Sequence, residues 1–343
     1  MRSAPLVADC VETIGDWIGN AADSAWNWIS DSVSGVPLKF FSYMATLLPS
    51  YSLGGVQYFT PKHVDNDVNA LMSGSKWSKS TITYSLPDSR SDYESANPSA
   101  SGFQRLSIQN EDAVHAIMGS VAGYVNTGIS YAGRDKADVQ VAGFKPGSVI
   151  ARSHGYYPGV PMYGGDTWLD TKSYSDFRKG TYGYFLTMHE LGHSLGLKHP
   201  HDSADRLPRM SALRDSTEFT VMSYNDTVDR PQTFMQYDIA ALQAMYGADF
   251  TANNGSTYYT WNSSSGQMYV NGQGQGETYK SRIFLTVWDG GGVDTYDMSN
   301  FSEGALIDLS PGGFSRFSRS RPRTPRSTAT FTTLYNSRET LVF

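Results

Sequence analysis

Four of the seven histidines in this 343-residue chain fall between His189 and His201. The stretch reads Thr187-Met188-His189-Glu190-Leu191-Gly192-His193-Ser194-Leu195-Gly196-Leu197-Lys198-His199-Pro200. His189 and His193 are four residues apart, so on a helix they leave one face and can bind the same cation. Two imidazoles make a poor site, because a catalytic zinc takes three protein ligands and keeps one position open. His199 lies further on, where a continuing helix would carry it away along the axis. Gly196 resolves this: a glycine can take the left-handed conformation, end the helix and fold the chain back so that His199 meets the same metal. Glu190, beside the first ligand, can hydrogen-bond a water on that metal and take its proton, and zinc lowers the pKa of such a water to about 7. The shorter His-Glu-x-x-His pattern recurs by chance on many helices; the longer one, with its geometric glycine, is far rarer. One zinc ion is the expected cofactor.

The flanking elements must hold this stretch in place. A helix is expected to begin near Tyr182, and another to cover Tyr237 to Met245 before Gly247 stops it. Asn110 to Val125 reads as a further helix, with Ala113, Ile117, Val121 and Tyr124 on one face. Thr81 to Leu86 reads as a strand closed by Pro87-Asp88-Ser89, with shorter strands at Ile129 to Ala132, Val139 to Ala142 and Val149 to Arg152. Near the start, Val11, Ile14, Ile18, Ala21, Ala25, Ile29 and Val33 form one apolar helical stripe, suited to a packing helix or a removable pro-segment. Mixed strands and helices up to about residue 250 indicate an α/β or α+β catalytic-type domain. Past Gly255, short strands such as Ile283-Phe284-Leu285-Thr286-Val287-Trp288 alternate with glycine turns and read as a small all-β module. Arg316, Arg319, Arg321, Arg323 and Arg326 then sit among Ser, Pro and Thr without an acid, a composition expected to be disordered. The expected organisation is a helical segment over 1–60, a catalytic domain over 61–250, a β module over 251–315 and a tail over 316–343.

Composition narrows the function classes. Hydrophobic residues at 39% and charged residues at 17% supply a real core. No run approaches the roughly 18 apolar residues of a membrane-spanning helix. A net charge of -6 argues against nucleic acid as a partner. The lone Cys10 excludes an intramolecular disulfide and a thiolate-only metal cage. Met1 to Asp9 carries one arginine and reaches an acid before any apolar core, so no N-terminal signal peptide is expected. The chain is expected to be either cytoplasmic or exported by a route that does not read the N-terminus.

The long histidine motif resembles that of the metzincin zinc peptidases, whose second mark is a tight turn carrying a methionine beneath the metal. Thr220-Val221-Met222-Ser223-Tyr224 fits that turn, and its Met-x-Tyr form is similar to the serralysin branch. So are Gly164-Gly165-Asp166-Thr167-Trp168-Leu169, Gly180-Thr181-Tyr182-Gly183, and Tyr237-Asp238-Ile239-Ala240-Ala241-Leu242 running to Tyr246-Gly247-Ala248. The resemblance implies an α+β metzincin catalytic domain, with a mixed sheet and an active-site helix, followed by a small all-β module that begins a parallel β-roll. It implies His189, His193 and His199 as zinc ligands and Glu190 as general base. Tyr224 becomes a switch tyrosine, ligating zinc at rest and later donating to the tetrahedral oxyanion, and Met222 a hydrophobic floor. No role falls to His63, His115, His154 or His201, for which structural or surface positions are expected. Cys10 lacks the surrounding motif that would make it a thiolate cap on the zinc.

Asp289-Gly290-Gly291-Gly292-Val293-Asp294-Thr295-Tyr296 resembles one calcium-binding nonapeptide turn, in which Asp side chains and glycine carbonyls supply hard oxygen ligands. The family's first such site adds alternate carbonyls after the catalytic domain, matched by Asn253, Gly255 and Thr257. With Asp289, Gly291 and Asp294 these are the expected ligands of one or more calcium ions; a surface hairpin is the alternative. A roll normally stacks several such turns, and one is found here. Glu339-Thr340-Leu341-Val342-Phe343 is similar to the family's C-terminal export signals. The resemblance therefore implies a secreted, extracellular, monomeric zinc endopeptidase that hydrolyses proteins or peptides and leaves the cell through a type I secretion apparatus. A calcium-stabilised binding or adhesion module, or an inactive truncated form keeping the peptidase fold, is the alternative. Residues near Val149 to Tyr157 are expected to supply an edge strand to which an extended substrate adds.

Overall fold

The computed structural model describes residues 50–93, 97–145, 152–160, 162–203, 207–227, 229–279, 282–302, 305–316, 330–335 and 340–342. The helix expected over residues 11–33 lies outside them. The hairpin β1 (Ser50–Leu53) and β2 (Val56–Phe59) is joined by β3 (Ser75–Trp77) in a small antiparallel sheet, with the short helical turn α1 (Asn66–Asn69) between β2 and β3.

The main sheet is built from β4 (Thr81–Ser85), β5 (Phe103–Gln104), β6 (Gly128–Tyr131), β7 (Val139–Phe144), β8 (His154–Gly155) and β9 (Asp166–Asp170). Its order is β6-β4-β7-β9-β8, with β5 paired to β7; β4, β6, β7 and β9 run parallel, and β8 is an antiparallel edge. Strands β7 and β9 are buried along their whole length. Val139, Val141 and Leu169 enter the main core with Ile117, Val121 and Leu191, while Ala142, Phe144 and Trp168 face an aromatic cluster with Tyr93. Strands covered on both faces lose the alternation that marks a half-buried strand. Of the strand expected at Val149 to Arg152, residues 149–151 lie outside the described residues and Arg152 is a bend; β8 falls within the edge expected near Val149 to Tyr157. His154 Nδ1 donates to the Arg152 carbonyl at 2.9 Å, which turns the chain before β8 starts.

Three longer helices follow, of which the first two pack on this sheet and the third packs against α1, the first of the three and the C-terminal part. In α2 (Ile108–Tyr124) the Ser107 side chain caps the first turn by accepting from Asn110 N, and Ala113, Ile117, Val121 and Tyr124 are all buried. In α3 (Tyr182–Ser194) Thr181 caps by accepting from Tyr184 N, and in α4 (Gln236–Tyr246) Gly247 ends the helix at φ +80°. No helix among the described residues is long and apolar enough to cross a membrane.

The C-terminal part is all β: β10 (Tyr258–Trp261), β11 (Met268–Val270), β12 (Gln273–Gly274), β13 (Phe284–Asp289), β14 (Val293–Asp297), β15 (Phe314–Arg316), β16 (Thr330–Tyr335) and β17 (Thr340–Val342). They form two sheets, β12-β11-β10-β14-β17 and β13-β16-β15, around a second core of Tyr259, Trp261, Ile283, Leu285, Val287 and Tyr296. Strands β13 and β14 belong to different sheets and are joined at Gly290–Gly292, so the chain makes one coil of a parallel roll. Strand β16 runs parallel to β13, and β17 parallel to β14, laying a second coil on the first. These two strands depart from the disorder expected over 316–343. Compositional averaging over the arginine-rich stretch concealed the β-branched and aromatic run Thr330-Phe331-Thr332-Thr333-Leu334-Tyr335; residues 317–329 and 336–339 lie outside the described residues.

Hydrogen bonds tie this part to the catalytic region. Gln232 donates its backbone N–H to Phe284 O at 2.9 Å and its amide to Arg282 O at 2.6 Å. Thr286 N donates to Thr233 Oγ1 at 2.8 Å, Lys179 Nζ to Gln275 O at 2.6 Å and Trp288 Nε1 to Asp249 O at 3.0 Å.

Candidate active site

Helix α3 presents His189 and His193 from one face, and it ends as the glycine at 196 requires. Gly196 N donates to His193 O and Leu197 N to Gly192 O, closing a Schellman motif with Gly196 at φ +97°. A Cβ on Gly196 would lie 2.5 Å from Ser75 O, so the turn is closed to side chains on two grounds. The reversal brings His199 Nε2 to 3.2 Å from His189 Nε2 and 3.1 Å from His193 Nε2. All three rings are buried.

Their outer nitrogens decide what the inner ones can do. His189 Nδ1 lies 2.8 Å from Val221 O, His193 Nδ1 2.8 Å from Leu197 O, and His199 Nδ1 2.9 Å from Asp202 Oδ2. A carbonyl or carboxylate oxygen accepts, so the three Nδ1 atoms carry protons and the Nε2 atoms turn inward toward one another. Burial, and then the neighbouring His199, pushes His189 down to about 3 and His193 well below the usual imidazole range, which leaves both neutral. Neutral imidazoles are the metal-binding form. Three ring nitrogens gathered this closely suit a shared cation. In number, chemistry and outer hydrogen bonds the set fits zinc.

Glu190 lies buried beside them, and burial pushes its carboxyl up to about 8, opposed by a hydrogen bond from the Gly155 N–H of the edge strand. Gly155 has no room for a side chain: a Cβ there would lie 2.1 Å from Glu190 O and 3.1 Å from His193 Cβ. Tyr224 is exposed, yet its phenol sits 2.8 Å from His199 Nε2 and its ring stacks over His189. Burial, with the Glu190 and Asp202 charges, pushes that phenol up to about 12. Met222 is fully buried under α3, and Gly192 makes room for it, since a Cβ there would lie 2.7 Å from Met222 Sδ.

Several contributors escaped the sequence reading. Asp238, fully buried on α4, holds the methionine turn by accepting from Thr220 Oγ1 at 2.5 Å, Val221 N at 2.8 Å and Met235 N at 2.9 Å. Asp202 orients His199, and Tyr157 packs edge-on against His193 at 5.3 Å. His201 is nearer the site than expected: its ring stacks on His199 at 5.3 Å and meets Tyr224 at 4.7 Å. His154, by contrast, is structural, bridging Ser99 Oγ and the Arg152 carbonyl beneath the edge strand. His115 bonds Tyr84 Oη, and His63 accepts from Asp65 N.

The second residue set gathers around the junction. Thr257 N donates to Asp294 Oδ1 at 2.8 Å, and Thr257 Oγ1 lies 3.1 Å from Asn253 O and 3.3 Å from Gly255 O. A Cβ on Gly292 would lie 1.9 Å from Gly255 O. Asp289 is bonded by Tyr259 Oη at 2.6 Å and by Gly291 N at 2.9 Å. Burial raises the Asp294 carboxyl.

Comparison with known proteins agrees with this geometry. The Matrixin family model matches residues 76–247, and the model described as Peptidase M10 serralysin C terminal matches 248–319. A serralysin of Proteus mirabilis is 31% identical over 200 residues, covering 52% of this chain and 40% of its own length. Serralysin C of Dickeya chrysanthemi is 34% identical over 179 residues, covering 48% and 36%. Metallopeptidase AprA of Pseudomonas marginalis is 28% identical over 260 residues, covering 69% and 54%. The chain thus matches about half the length of these relatives or less. With the three-histidine centre, the methionine turn and the two adjoining family matches in place, the chain belongs to the serralysin-type metzincin metalloproteases.

Proposed function

We propose that this chain is a zinc-dependent endopeptidase, exported through a type I secretion apparatus and active outside the cell as a monomer on proteins or peptides. The observation that carries the reading is the convergence of three Nε2 atoms beside a buried carboxyl group held by an edge-strand N–H. His189, His193 and His199 would hold the zinc, which when bound supplies a Lewis acid that polarises a peptide carbonyl and acidifies water. Glu190 takes the proton of the attacking water and passes it to the leaving amine, the two transfers open to one positioned carboxyl group. Among the described residues strand β8 is paired only to β9, so an extended substrate can add to its open side. That addition places the scissile carbonyl over the site, because Gly155 of the same strand holds Glu190. Met222 forms the floor and moves no proton.

The test is metal analysis combined with hydrolysis of denatured casein. One zinc per chain is expected, with activity lost to a chelator and regained on adding zinc. A folded, zinc-loaded protein that leaves casein intact would sink the reading. Tyr224 donates to the developing oxyanion, so Tyr224→Phe is expected to lower kcat by about 10²-fold while KM changes little. An unchanged kcat removes the phenol from the mechanism.

The same reading makes Asn253, Gly255, Thr257, Asp289, Gly291 and Asp294 a calcium site. Two buried carboxylates and a row of carbonyls suit a hard cation, and calcium binding only the native state would add about 2.7 kcal/mol at a hundredfold excess over Kd. Tm is therefore expected to rise in millimolar calcium, and Asp294→Ala to abolish most of that rise. A melting curve indifferent to calcium, in protein stripped of it beforehand, would leave an ordinary hairpin.

A further inference from the structure

Lys198 immediately precedes the third histidine, and its side chain is fully buried. Among the described residues no carboxylate bonds its ammonium, although the Asp202 and Asp215 charges act on it from nearby. Nζ donates instead to three backbone carbonyls: His199 O at 3.2 Å, Asp202 O at 2.8 Å and Pro208 O at 3.2 Å. Three protons meet three acceptors, which is what an ammonium buried away from water requires. Its own N–H donates to Leu71 O at 2.7 Å, fixing the base of the side chain to the neighbouring segment.

The acceptors belong to functional residues. His199 is a metal-site histidine, and Asp202 is the residue whose carboxylate holds His199 Nδ1 at 2.9 Å. The loop they begin has no regular secondary structure of its own between His199 and Pro208 among the described residues except an isolated bridge at Leu207. Within it Asp202 N donates to His199 O at 3.2 Å and Met210 N to Pro200 O at 3.0 Å, and the Lys198 ammonium adds its three bonds to these. A cation placed between three carbonyls draws them to one point, as a bound ion does, but this one is covalently attached one residue from the ring it serves.

We propose that Lys198 is a tethered cation that pre-forms the third ligand position: by gathering the His199, Asp202 and Pro208 carbonyls it holds His199 and its Asp202 partner in metal-binding geometry. It is a positioning residue that acts through His199 and touches neither zinc nor substrate. The proposal rests on the zinc peptidase reading.

The test is zinc affinity, measured by competition with a chromophoric chelator on the full chain, with folding followed by circular dichroism. Lys198→Met, which keeps the length and loses the charge, is expected to bind zinc about 10- to 100-fold more weakly, the usual effect of losing a residue that orients a metal ligand. Lys198→Ala is expected to show the same loss and to recover most of it in ethylammonium, which can re-enter the cage. Tetramethylammonium, which has no N–H, is expected to restore nothing. Zinc affinity within twofold of wild type in either variant, or equal recovery with both ions, overturns the proposal. So does failure of both variants to fold even in ethylammonium, which would make the lysine a residue of the fold alone. A wild-type chain without zinc affinity overturns the peptidase reading together with this one; zinc-binding wild type with unaffected variants overturns this one only.

Discussion

Glu190→Gln is expected to keep one zinc per chain and to lose casein hydrolysis by about 10³-fold. The amide preserves the shape of the side chain and can still accept the Gly155 N–H that meets Glu190 in the native protein. It cannot take a proton from water. The histidines are untouched, so metal content separates this outcome from a collapsed site. Hydrolysis at the wild-type rate would remove Glu190 from its role as base.

Gly155→Ala should do comparable damage from the opposite side of the cleft. The added methyl would fall 2.1 Å from Glu190 O, a distance that backbone atoms cannot relieve without movement. Either β8 retreats from α3 or the helix gives way, and overpacking of this kind costs about 1–3 kcal/mol. If β8 retreats, its N–H leaves the Glu190 carboxylate and the substrate-pairing edge shifts with it. We expect kcat/KM to fall by at least about 10²-fold, the scale at which small misplacements disturb positioned groups, with a lowered Tm and zinc still bound. Wild-type kcat/KM in this variant would show that strand and base are not coupled.

How much of this was legible follows from where the determinants lie along the chain. The histidine centre could be read because its three histidines and its helix-ending glycine fall within one short stretch, and helical geometry converts their spacing into direction. The methionine turn was legible through resemblance, though not the reason it holds: Asp238 reaches it from α4, and no local pattern marks that pairing. Gly155 looked like any glycine, since its meaning lies in a helix that approaches it only after folding. His201 was given only a structural or surface position because nothing in the sequence reveals that its ring meets Tyr224. The edge strand β8 lies inside the stretch near Val149 to Tyr157 from which it was expected, but its two-residue length is set by pairing with β9, which no local pattern marks. In the tail, arginine content outweighed a run of strand-forming residues that pairs with distant partners.

The hydrogen bonds from Gln232 and Thr233 to β13 bear on how freely this molecule could be divided. Those two residues lie on the segment that leaves the methionine turn and leads to α4. That segment is sutured to the C-terminal part, so the two halves share a boundary that sequence similarity draws at about residue 247 but that the backbone does not respect. Cutting there would strip acceptors from the segment after the methionine turn and expose Phe284 and Trp288, which pack into the main core. Exchange of the C-terminal part between related chains should therefore succeed only when this seam travels with it, which makes the β module a heritable companion of that segment and not a detachable passenger.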